Sequence, residues 1–120
     1  MNFSSFLLVG AGGAIGSMLR YALALMIVNK LFPYNTFLVN IIGSFLIGIL
    51  LGLFSKSSIT NDGWKLLATG LCGGFTTFSA FSLEGFELLQ QERYSTFLFY
   101  ILITIIIGLA ATWLGYTITK

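Results

Sequence analysis

The chain has 120 residues, of which 57% are hydrophobic and 8% charged, with a mean hydropathy of +0.95, a balance that lies outside the soluble globular range and implies an integral membrane protein. A net charge of +2, no histidine and Cys72 as the single cysteine argue against nucleic-acid or polybasic lipid binding, a zinc centre, an internal disulfide and a Cys-His nucleophile. Because a span takes about 20 apolar residues, four spans with short connectors use nearly the whole length as one all-α, multi-pass domain in the lipid bilayer, with no room for a separate catalytic module.

The first span is expected over about residues 6–28. With no basic side chain ahead of it and several glycines inside it, it reads as a retained span and not a cleaved leader. Gly12 and Gly16 form a small-xxx-small pattern that lets another helix come close. Arg20 is the anomaly, since a cation at the centre of a span costs at least about 2.5 kcal/mol. Either it snorkels to the headgroups, or it stands in an aqueous vestibule whose potential draws anions. Lys30 to Asn35 form the first connector, and Pro33, the only proline, stops the helix.

The second span is expected over about residues 36–54, with Asn40 and Ser44 one turn apart on one face. Asn40 has two readings. It glues helices through a hydrogen bond worth about 0.6 kcal/mol, or its NH2 offers two donors to a dehydrated anion without placing a full charge in the membrane.

After the polar connector Ser55 to Gly63, the third span is expected over about residues 64–89. Its middle should not be continuous helix. The pair Gly73-Gly74 precedes Thr76-Thr77; glycine costs about 1 kcal/mol against alanine in a helix, and threonine hydroxyls compete for backbone groups. Lipid does not tolerate free backbone, so a helix broken at this depth is buried by protein or lines a cavity, and the break is a site. Just beyond it Phe78 and Phe81 share one helical face. Cys72 reads as small intramembrane packing. Glu84, near the span's end, is either buried or solvated.

The fourth span, about residues 97–118, carries Tyr100, Thr104, Gly108 and Thr112 at steps of four. The stripe is a polar track, or its threonines simply bond their own i−4 carbonyls. With alternating spans, Lys56, Lys65 and Lys120 fall on one side and Lys30 and Arg93 on the other, with Arg20 at membrane depth. Orientation follows the Lys/Arg excess, and here the excess is slight. Such a chain can insert both ways and pair as an antiparallel dimer about an axis in the membrane plane.

The strings Gly12-Gly13-Ala14-Ile15-Gly16-Ser17-Met18-Leu19-Arg20-Tyr21, Thr36-Phe37-Leu38-Val39-Asn40-Ile41-Ile42-Gly43-Ser44-Phe45 and Gly73-Gly74-Phe75-Thr76-Thr77-Phe78-Ser79-Ala80-Phe81-Ser82-Leu83-Glu84 resemble the Fluc-type fluoride channels, also known as CrcB proteins. The resemblance implies a passive fluoride-selective channel of the cell inner (plasma) membrane. It would act as a dual-topology antiparallel homodimer that exports fluoride from the cytoplasm and gives resistance to it. It further implies that Phe78 and Phe81 turn ring edges to fluoride, that Asn40 donates to the ion, and that Arg20 lines the vestibule. Carbonyls of Gly73 and Thr76 from both subunits would hold a central structural Na⁺. Tyr100 and Thr104 look like the polar track of the family's fourth helix, and Gly108 is where that stripe lacks a hydroxyl; Ser44 and Thr112 are the further hydroxyls expected on the fluoride pathway. Both phenylalanines and the break residues are present, which favours a homodimer over a heterodimer with a diverged subunit. The competing reading is a small proton-coupled dual-topology exporter. It requires a membrane acid, typically in the first span, and residues 1–30 contain none, leaving only Glu84.

Overall fold

A computed structural model describes residues 2–120. Every regular element among them is helical, and four helical spans are long and apolar enough to cross a membrane. They are α1 (Phe3–Met26), α2 (Tyr34–Ser55), a composite third span (Asn61–Gln90) and α6 (Tyr94–Thr119). The third span is assembled from α3 (Asn61–Trp64), a π-helical stretch (Lys65–Cys72), α4 (Gly73–Phe75) and α5 (Phe78–Gln90). The chain is therefore a multi-pass, all-helical membrane protein.

The helix ends differ from the hydropathy limits where polar caps act. α1 begins at Phe3 and not near residue 6, because Asn2 accepts a hydrogen bond from the Ser4 N–H at 3.1 Å. It ends at Met26, short of residue 28: Ile27 is extended, and Asn29 Oδ1 accepts from the backbone of Leu31 and Phe32 at 2.8 and 3.1 Å, folding the connector into a turn. α3 begins at Asn61, inside the stretch expected to be connector, because Thr60 Oγ1 accepts from Gly63 N–H at 3.0 Å. Thr60→Ala is expected to lower stability by about 1 kcal/mol, measured as a lower thermal midpoint in detergent with transport retained. α6 also starts early, at Tyr94 and not residue 97, but with no side-chain cap.

Packing follows the glycines. α1 lies along the π-helical stretch and α4, and α2 lies along α6, so two helix pairs form. At the first contact a Cβ on Gly12 would overlap the Leu66 carbonyl, and one on Gly16 the Leu71 carbonyl. At the second, a Cβ on Gly48 would overlap the Thr112 carbonyl, and one on Gly115 the Phe45 carbonyl. Membrane helices gain little from hydrophobic contrast with lipid, so backbone approach of this kind supplies the packing.

The spans alternate in direction. Lys65 Nζ donates to Ser5 Oγ at 2.9 Å, and the Thr119 side chain and Lys120 N flank Gly52, which places both chain termini and the second connector at one end. At the other end Arg93 donates to the Leu31 carbonyl, tying the third connector to the first. Ser57 and Glu92 turn the chain out of its helices with φ of 61° and 57°.

Candidate functional site

Between α4 and α5 the backbone of Thr76 (φ −86°, ψ 159°) and Thr77 (φ −152°, ψ 122°) is extended. Each polar group of this stretch needs a partner at membrane depth. Thr76 keeps its helical bond, N–H to the Cys72 carbonyl at 3.0 Å, and adds its hydroxyl to the same oxygen at 2.9 Å. In a continuous helix the Thr77 N–H would bond the Gly73 carbonyl. Instead it donates to Asn40 Oδ1 at 2.8 Å, while Asn40 Nδ2 donates to the Thr77 carbonyl at 3.1 Å. The Thr77 hydroxyl caps α5 by accepting from Ala80 N–H at 3.1 Å.

Arg20 reaches the same place from α1. Its Nε donates to the Gly74 carbonyl at 3.1 Å, so the guanidinium sits at the carbonyl end of the helical run that closes at Phe75, where a cation is favoured. Neither sequence reading of Arg20 included this backbone partner.

Beside this stretch lies a cavity of about 600 Å³. Asn40 and Ser44 of α2, Gly73, Thr76, Phe78 and Phe81 of the third span, and Thr104 and Thr112 of α6 all line it. The rings of Phe78 and Phe81 are 5.8 Å apart at 54°. The cavity is an open groove, since Phe78 is 78% exposed and Ile105 and Leu109 on its rim are 51% and 69% exposed. A Cβ placed on Gly73 would meet nothing within 4 Å.

Tyr100 does not line this groove. It is fully buried, under the edge-on ring of Phe32 at 5.4 Å and against Phe81 at 5.2 Å. Its hydroxyl donates to Glu84 Oε2 at 3.1 Å, and Thr36 donates to Glu84 Oε1 at 2.7 Å. Glu84 is thus neither free nor simply solvated. It also borders a second cavity of about 280 Å³ at the Arg93 end, with Lys30, Glu87 and Gln91. The Thr36–Glu84–Tyr100 group was not foreseen as a unit, although Thr36 and Asn40 at i and i+4 mark one polar face of α2. The two threonines of the stripe donate to carbonyls: Thr104 to that of Tyr100 at 2.7 Å, and Thr112 to that of Gly108 at 3.2 Å and, across to α2, that of Ser44 at 2.9 Å. They therefore turn oxygen lone pairs, not protons, to their other neighbours.

Chemically, the groove sets polarised ring edges and one carboxamide beside backbone carbonyls. Among the described residues no three His, Cys, Asp or Glu side chains gather to hold a metal, so a cation here would meet carbonyl oxygens. The Gly73 carbonyl, relieved of Thr77 N–H, fits that role.

The family model described as "CrcB-like protein, Camphor Resistance (CrcB)" matches residues 7–116. Among curated proteins, the "Fluoride-specific ion channel FluC" of Azobacteroides pseudotrichonymphae is 51% identical over 117 residues, 94% of each chain. The protein of that name from Flavobacterium psychrophilum is 45% identical over 93% of this chain and 94% of its own. The one from Thermus thermophilus is 41% identical over 97% and 94%.

Proposed function

The chain belongs to the CrcB-like family, which makes it a channel protein and not an enzyme, and on that premise we propose that it conducts fluoride passively and selectively as an antiparallel, dual-topology homodimer of the inner (plasma) membrane. Export of fluoride down its gradient then gives resistance to it. The observation that carries this reading is the groove in which Phe78 stands 78% exposed beside Phe81, the Asn40 amide and backbone carbonyls.

An aromatic ring is negative on its face and positive at its edge, so an anion passing Phe78 and Phe81 gains lateral stabilisation without meeting a full cation that would trap it. Fluoride is small and strongly hydrated, and conduction needs several weak sites in sequence. Asn40 Nδ2 has two protons and spends one on Thr77, so one remains for the ion. Ser44 supplies a neutral hydroxyl along the groove; Thr104 and Thr112, whose protons are held by carbonyls, donate to the ion only when those bonds are released, and Tyr100 joins this path only if the Thr36–Glu84–Tyr100 group rearranges. Arg20 draws anions toward the groove from its place at the Gly74 carbonyl.

A second copy accounts for the open side of the groove. The near balance of Lys56, Lys65 and Lys120 against Lys30 and Arg93 supports insertion in both orientations, and two interrupted third spans then meet near the midplane. Carbonyls of Gly73 and Thr76 from both copies would hold a sodium ion there, which supplies charge compensation for facing oxygens and so serves assembly.

Liposomes loaded with fluoride and containing the purified protein test the proposal. Fluoride loss is expected on adding valinomycin, with no loss of chloride under the same conditions. Chloride loss would remove the selectivity, and fluoride loss that follows a proton gradient without valinomycin would favour a proton-coupled exporter using Glu84.

A further inference from the structure

We propose that Asn40 is also a positioning residue for the central cation, acting through the Thr77 backbone; this rests on the sodium site proposed above. The geometry is reciprocal. One carboxamide accepts the Thr77 N–H at 2.8 Å and donates to the Thr77 carbonyl at 3.1 Å, pairing both backbone polar groups of that residue. A hydroxyl in its place has one oxygen and one proton on a single short stem and cannot span both.

The consequence lies four residues back. The Thr77 N–H is the natural donor to the Gly73 carbonyl in a continuous helix, and a carbonyl so engaged is a poorer ligand for a cation. By holding that N–H on α2, Asn40 keeps the Gly73 oxygen available, beside a glycine whose Cβ position is open space. Without Asn40 the Thr77 N–H has two outcomes at membrane depth, an unsatisfied donor or collapse back onto Gly73, and the second closes the interruption. The side chain that offers a proton to the anion thereby also sets the oxygens that face the cation. The two ions are coupled through one residue, and such coupling is reciprocal.

The test is thermal unfolding of the purified protein in detergent, titrated with sodium chloride against choline chloride at constant ionic strength. The wild-type midpoint is expected to rise with sodium. Asn40→Ala is expected to need at least about tenfold more sodium for half of that rise, the scale of losing two buried hydrogen bonds. Thr119→Val removes a hydrogen bond to the Ile49 carbonyl far from the groove; it should lower the midpoint without moving the sodium half-point. If Asn40→Ala yields no folded protein, Asn40→Gln carries the test, since it keeps the carboxamide but displaces it by one methylene, and the same direction of shift is expected. A sodium half-point equal to wild type in the folded Asn40 variant overturns the inference while leaving the cation site standing. A wild-type midpoint indifferent to sodium overturns the cation site itself, and the inference with it.

Discussion

Phe78→Ile is expected to slow fluoride efflux by a few-fold to about tenfold while leaving the protein folded. The ring is 78% exposed in the protomer, so shortening it opens no cavity within the subunit, and the usual cost of a truncated core aromatic does not apply. What disappears is the positive ring edge. Aromatic edge contacts are worth about 0.5–1.5 kcal/mol beyond their buried area, and 1.36 kcal/mol on a barrier is about tenfold in rate. Isoleucine offers similar bulk and no quadrupole, so occlusion of the groove cannot imitate the effect. Phe81 is the less clean target, because its ring also packs on Tyr100 at 5.2 Å, which in turn binds Glu84. Efflux rate per protein and thermal midpoint, measured on the same preparation, separate conduction from folding. An unchanged rate would remove the ring edge from the mechanism.

Gly48→Leu is expected to abolish folded protein altogether. At this crossing α2 and α6 touch backbone to backbone: a Cβ on Gly48 would overlap the Thr112 carbonyl oxygen and come within 2.9 Å of its carbon and 3.0 Å of Tyr116 N. Overpacking against adaptable side chains costs about 1–3 kcal/mol. Here the neighbour is main chain within a helix and cannot rotate away, so the helices must separate. Separation also breaks the Thr112 bond to the Ser44 carbonyl at 2.9 Å and opens the floor of the groove. Gly10→Ala is the control, since nothing lies within 4 Å of that position, and it should elute as a single sharp peak in size-exclusion chromatography where Gly48→Leu aggregates. A well-behaved Gly48→Leu protein would mean that α2 and α6 do not meet backbone to backbone at this crossing.

Four apolar helices were legible because lipid imposes a strong rule: about 20 apolar residues per span, with charge confined to connectors. Their ends were less so. Asn2 and Thr60 are polar and look like flanking loop, yet each caps a helix that starts earlier than hydropathy indicates. The π-helical winding of Lys65–Cys72 left no signal in the sequence; it lies where α1 approaches closely at Gly12 and Gly16, a contact between segments remote in sequence.

At the site, Gly73-Gly74 and Thr76-Thr77 marked the place where the backbone turns extended, since those residue types weaken a helix locally. Asn40 stood out as a carboxamide within a span, and its helix-joining reading is the one the geometry shows: its oxygen and one proton hold Thr77. The partner of Arg20 was not legible, because nothing local in α1 points to the Gly74 carbonyl. Nor was the Thr36–Glu84–Tyr100 group, which joins α2, α5 and α6 and exists only once they pack.

The most direct test of passive, fluoride-selective conduction is the reversal potential of the current across a planar bilayer holding the purified protein. The two chambers would carry different fluoride concentrations, with chloride and pH varied independently. A passive fluoride channel gives a reversal potential that follows the fluoride gradient alone and does not move with chloride or pH. A potential that shifts with chloride would contradict selectivity, and one that shifts with pH would show that protons travel with the ion.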